Sequence, residues 1–138
     1  MNKKVLVVGN FNPNQTIYTY ATSFYKTFKQ LGLQAAYVDC VPRGFWQNTR
    51  IINKITRPLV IASTNLTIVN TVKKYKPDLV FIVKGEHLSP ATIKTIKTTG
   101  TRIVNFYPDN PFTLWNGNST PSLLQSLPLF DCFLSWSP

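Results

Sequence analysis

Two segments of this chain each hold an unbroken apolar stretch, at residues 5–8 and 79–83, and short runs of that kind fold as strands covered on both faces. Residues 3–9 read Lys-Lys-Val-Leu-Val-Val-Gly, and residues 76–85 read Lys-Pro-Asp-Leu-Val-Phe-Ile-Val-Lys-Gly. A strand with one solvated face would alternate apolar with polar residues, and neither run does. Both therefore belong inside a layered structure with helices on either side of a sheet.

The intervening residues supply those helices. Ile17, Ala21, Phe24, Phe28 and Leu31 recur at steps of three and four, so they predict one buried helical stripe, stopped by Gly32. Residues 33–39 read as a second strand, and a strand-helix-strand unit of this length implies parallel pairing. Between 40 and 62 lie Pro42, Gly44, Phe45, Trp46 and Pro58, while Ile51, Ile52 and Ile55 suggest a short helix ended near Pro58. A longer helix is expected over about residues 63–75 with Leu66, Val69, Val72 and Tyr75 inward, followed by a third strand beside the first.

The next helix is clearly punctuated. Ser89 is placed to cap it, Pro90 suits its first turn, Leu88 and Ile93 stand at hydrophobic-staple positions, and Gly100 ends it. A fourth strand is predicted over residues 101–107, a short helix over 121–127 and a fifth strand over 131–136. The expected fold is α/β: one doubly wound, mostly parallel five-stranded domain over residues 1–138, Rossmann-like or flavodoxin-like, with strand order 2-1-3-4-5. Ending on a strand suggests half of a larger molecule.

Composition bounds the function. With 43% hydrophobic residues among 138, the chain can bury a core without disulfides or metals. It contains no run near the roughly 18 consecutive apolar residues of a membrane-spanning helix, and no secretory signal is legible, so a cytoplasmic location is expected. Cys40 and Cys132 are far apart and form no metal-ligand pattern, so no metal is expected, and no motif of the chain calls for a cofactor. Three Asn-X-Thr matches, beginning at Asn14, Asn65 and Asn118, carry no weight without secretion.

Fifteen Lys and Arg face five acids, a net charge of +10 that attracts polyanions without specifying which. Lys73, Lys74 and Lys76 read first as a solvated helix end. Nucleic-acid binding is disfavoured, because no recognised motif accompanies the charge and the aromatics fall at core-like spacings. The acids say more: Asp39, Glu86 and Asp109 each follow the C-terminal end of a predicted strand, the edge where open parallel sheets bind ligands.

That strand order reverses between strands one and three. Gly9 and Asn10 would then face Lys84, Gly85, Glu86 and His87 across a crevice, with Asp109 and Asn110 one strand further along. Gly9 and Gly85 allow close backbone approach, Lys84 can meet a phosphate, and Glu86, His87 or Asp109 can accept a proton or hold sugar hydroxyls. The first loop, Gly-Asn-Phe-Asn-Pro-Asn, lacks both the dinucleotide fingerprint and the phosphate loop, and no G-x-S-x-G elbow presents a serine. Dehydrogenase, P-loop and serine-hydrolase chemistry are thereby disfavoured.

An ordered set of motifs, Lys-Pro-Asp-Leu-Val at 76–80, Lys-Gly-Glu at 84–86, Leu-Ser-Pro at 88–90 and Tyr-Pro-Asp-Asn-Pro-Phe at 107–112, resembles bacterial glycosyltransferases of the spore-maturation, CgeB-like type. Residues 3–9 and Leu-Pro-Leu-Phe-Asp at 127–131 support the likeness. The resemblance implies a GT-B architecture of two Rossmann-like domains, of which this is the N-terminal, acceptor-side one. It implies that Gly9, Lys84, Gly85, Glu86 and Asp109 belong to cleft-facing motifs; joined to the crevice residues above, the expectation is Asp109 or Glu86 as catalytic and Gly9, Asn10, Lys84, Gly85, His87 and Asn110 as substrate-binding. The resemblance further implies a saccharide or glycosylated acceptor, with the nucleotide sugar arriving as substrate through a C-terminal domain this chain lacks, so that the chain alone would not complete transfer. Members often carry two acids before the proline, whereas here Asn110 follows Asp109. The alternative is a non-enzymatic flavodoxin-like module for a phosphorylated small molecule or a partner protein. Trp46, Phe112 and Trp115 are candidates for stacking on a sugar ring.

Overall fold

A computed structural model describes residues 3–11, 19–41, 50–112 and 119–136. The strands are β1 (Lys4–Gly9), β2 (Gln34–Asp39), β3 (Leu79–Val83), β4 (Arg102–Tyr107) and β5 (Cys132–Ser135). They alternate with helices α1 (Tyr20–Gln30), α2 (Arg50–Tyr75), α3 (Pro90–Lys97) and α4 (Pro121–Ser126). The sheet has the order β2-β1-β3-β4-β5, with every pair parallel, as the sequence predicts. Val7 lies level with Tyr37 of β2 and Phe81 of β3, and Phe81 with Val104 of β4, so the central strands are in close register.

Period-two alternation divides the buried strand residues between two layers. Leu6, Val8, Val80, Ile82 and Ile103 pack against Ile68 and Val72 of α2 and Ile93 and Ile96 of α3. On the other face, Val5, Val7, Phe81, Val83 and Phe106 meet Ala21 of α1, with Phe24 and Phe28 against them. Each fully buried aliphatic side chain contributes roughly 2 kcal/mol, so these layers are what hold the strand ends in place.

Local signals act as expected at α3, where Ser89 Oγ accepts the Thr92 N–H at 3.1 Å and Leu88 and Ile93 are both buried. Three expectations need correction. The break at Pro58 is absent: α2 is a single 26-residue helix with Pro58 inside it. Pro58 forfeits one backbone hydrogen bond at a cost near 3 kcal/mol, which the buried C-terminal half of the helix outweighs. The inward stripe of that half is also shifted, because Asn65 and Ile68 face the core beside Val72 whereas Leu66 is 61% exposed. Leu31 is the third: it caps α1 rather than extending its stripe, and is 69% exposed. Ile17, Pro42, Trp46 and Trp115 lie outside the described residues.

Among the described residues, no helix is long and apolar enough to cross a membrane.

Candidate functional site

Where the strand order reverses, a cavity of about 560 Å³ opens at the C-terminal edge between β1 and β3. Asn10, Lys84, Gly85, Glu86 and His87 line it, five of the eight residues singled out from the sequence. The first turn of α1 contributes Thr19, Tyr20, Ala21 and Ser23, and the loop after β2 contributes Cys40 and Val41. A crevice at this switch point follows from the winding, because the connections from β1 and β3 leave toward opposite faces.

The segment from Lys84 to Leu88 is held at every carbonyl. Lys84 O accepts from Asn105 Nδ2 at 3.0 Å, and Gly85 O accepts the Leu88 N–H at 3.0 Å, closing a turn with Glu86 and His87 at its tip. Glu86 O accepts from the Thr120 hydroxyl at 2.7 Å, His87 O from Asn65 Nδ2 at 2.9 Å and Leu88 O from Ser122 Oγ at 2.7 Å. Asn65 is the central brace. Its Nδ2 also donates to Ile61 O at 2.8 Å, while its Oδ1 accepts the Ser89 N–H at 3.0 Å and the Thr92 hydroxyl at 2.7 Å. Both amide donors and both acceptor positions of this buried side chain are thus filled. Asn105 is less complete, with its Nδ2 bonded and its buried Oδ1 unpartnered.

Backbone shape adds to that rigidity. Gly85 takes φ +75°, and a Cβ there would come within 2.6 Å of Ile82 Cγ2, so the turn requires glycine. Gly9 serves packing: a Cβ on it would meet Ala21 Cβ at 2.5 Å, and its absence lets α1 approach β1. Lys84 takes φ +65°, an uncommon conformation for a residue with a side chain.

The charged groups form one chain. Lys84 Nζ lies 2.7 Å from Asp109 Oδ2 and 3.9 Å from Glu86 Oε1, so Asp109 is its principal partner. Tyr107 is fully buried, and its hydroxyl donates to Glu86 Oε1 at 3.3 Å. Burial first, and Glu86 second, push the Tyr107 phenol up, so it remains a donor at any physiological pH. Burial, followed by the charge of Arg57, draws His87 below the usual imidazole value, while Glu86 pulls the other way. Neutral His87 can therefore give or accept a hydrogen bond at the cavity wall. The Cys40 thiol is pushed up to about 12, chiefly by burial and then by Asp39, which leaves it protonated and inert.

Three of the predicted residues stand back from the cavity. Asp109 acts through Lys84 rather than lining the wall, Gly9 works beneath α1, and Asn110 Oδ1 accepts the Phe112 N–H at 2.9 Å in a local turn. Asp39 accepts the N–H of Val41 at 3.0 Å and of Phe11 at 3.5 Å, joining two loops. Phe112 is 71% exposed and is absent from the lining. The sequence reading missed Tyr107, Thr120 and Asn65. Thr120 carried a local signal, as a threonine before the proline that opens α4, whereas nothing local marks Asn65.

Among the described residues, no three His, Cys, Asp or Glu side chains stand close enough to share a metal ion. No family model matches the chain, and no curated protein matches it in sequence.

Proposed function

We propose that this domain holds the acceptor in a glycosyltransferase of GT-B architecture, with the nucleotide-sugar donor carried by a second α/β domain facing the cavity. The observation that supports this reading best is Glu86, a carboxylate on the cavity wall oriented by the Tyr107 hydroxyl on a fully braced turn. An acceptor hydroxyl placed there gives its proton to Glu86 as its oxygen bonds to the donor's anomeric carbon, and the nucleotide diphosphate departs. Asp109 is a positioning residue, steadying Lys84 so that its ammonium meets anionic groups at the rim. Asn10 and His87 supply hydrogen bonds to sugar hydroxyls.

One observation favours the second reading, a module for a phosphorylated small molecule or partner. Lys84 and the first turn of α1 lie on the same cavity, and together they suit a phosphate. Amide NMR separates the two. For the acceptor domain, saccharides shift Asn10, Gly85 and His87 saturably, and Glu86→Gln weakens them at least about fivefold. For the phosphate module, sugar phosphates alone do so, and Lys84→Met abolishes the response. Shifts from neither class would overturn both readings.

A further inference from the structure

At the opposite edge of the sheet, where the strands begin, runs an open trench of about 1150 Å³. In a parallel α/β fold every helix ends at this edge, and the helices bring cations with them. Lys29 lies in the last turn of α1, Lys73 and Lys74 in that of α2, and Lys94 and Lys97 in that of α3. The helix dipole accounts for those five. It does not account for Lys3, Lys4, Lys76 and Arg102, which lie outside the helices at or just before the strand starts. Lys76 even occupies a left-handed position, φ +51°, where glycine is the usual residue. These nine are the majority of the fifteen basic residues, and all but half-buried Lys4 are exposed.

Only two acids, Asp78 and Asp131, oppose them, and both are engaged. Asp78 Oδ2 accepts the Lys4 N–H at 2.7 Å, while Asp131 accepts the Ile103 N–H at 2.7 Å and Lys97 Nζ at 3.0 Å.

We infer that this strand-start edge docks on an anionic lipid bilayer. Three features favour a lipid surface over nucleic acid. The cations come from α1 on one face and from α2 and α3 on the other, so they cover a plane rather than a line. Eight of the nine are lysines, point charges that lack the planar fork with which arginine reads phosphate backbones and bases, and Arg102 alone supplies such a fork. The trench's described lining includes no aromatic side chain to stack a base, and Leu31, 69% exposed at the end of α1, offers an apolar tip among the lysines. The inference rests on the charge distribution and exposed leucine of this edge and is independent of what the cavity binds.

Flotation of the full chain with phosphatidylcholine vesicles, with and without about one-third phosphatidylglycerol, tests it. Binding is expected only to the anionic vesicles, falling steeply with salt. Lys73→Glu/Lys74→Glu is expected to weaken it at least about tenfold. Arg50→Glu/Lys54→Glu, at the other end of α2, makes the same change of charge by replacing two cations with two acids, and should alter binding less than about twofold. Leu31→Ser is expected to weaken binding at constant charge. Equal losses in the two charge-reversed pairs would reduce the effect to net charge and overturn the docking edge. So would displacement from the vesicles by single-stranded RNA at equal phosphate concentration. If the glutamates unfold α2, the matching glutamine pairs carry the same comparison.

Discussion

The two edges of this sheet are built from the same strands and differ in how their polar groups are used. At the strand ends, five successive carbonyls from Lys84 to Leu88 each have a partner, and Glu86, Tyr107, Lys84 and Asp109 form one connected chain. At the strand starts, most charges stand in solvent on flexible stems. The first edge fixes directions in space, as recognition of a hydroxyl demands; the second fixes only a field, which is all that a charged surface demands. Chain polarity is responsible, because a parallel sheet gathers loops with irregular backbone at one edge and helix C-termini at the other.

If the strand-end edge is a braced unit, its brace should be the most costly residue to lose. Asn65→Ala removes four hydrogen bonds and leaves His87 O, the Ser89 N–H and the Thr92 hydroxyl to find other partners. The expected destabilisation is about 3 kcal/mol, read from chemical denaturation. Lys74→Ala at the other edge is expected to cost less than about 0.5 kcal/mol. Equal losses would erase the distinction between the edges.

A smaller effect sharpens the same contrast. Lys84 and Lys76 both take left-handed backbone conformations, one at each edge. Glycine at either position relieves strain of about 1 kcal/mol. At position 76 the side chain has no hydrogen bond or ion pair with a described residue to lose, so Lys76→Gly is expected to be more stable by up to about 1 kcal/mol. At position 84 the ion pair with Asp109 is lost, so Lys84→Gly is expected to gain less while losing affinity for any anionic ligand. A Lys84→Gly variant that keeps full affinity would remove Lys84 from the site.

These differences also mark what a sequence can reveal. The strand order was legible because residues 3–9 and 79–83 are apolar enough to permit only a doubly covered layer, and the edge bearing Glu86 and Asp109 follows from that order. The course of α2 was not legible, because Pro58 signals a stop locally and the packing that overrides it comes from strands distant in sequence. Asn65 was invisible for the same reason: its partners are at positions 61, 87, 89 and 92, and only the fold brings 87 to 92 beside α2. Tyr107 reads as one more apolar strand residue until β4 places its hydroxyl against Glu86. Sequence patterns report burial well and hydrogen-bond partners poorly, because burial is periodic and partnership is not.

The smallest expected change is a slope. His87, the only histidine, has a lowered pKa in the folded chain, whereas unfolding returns it to the ordinary 6.5. Above that value both states are neutral. As pH falls through 6.5, the unfolded chain takes up a proton that the folded chain refuses, so stability declines until the folded imidazole also titrates. Asp131, at the other edge, is held below its ordinary 3.8 by the Ile103 N–H and then by Lys97. It supports the fold above 3.8 and withdraws that support only as pH falls further. Acid should therefore loosen the strand-end edge before the strand-start edge. Denaturant midpoints measured from neutral pH downward should show two declines, the first flattened by His87→Gln and the second by Asp131→Asn. A first decline that survives His87→Gln would mean that another group near the cavity titrates there, and the desolvated imidazole would lose its place in the site's electrostatics.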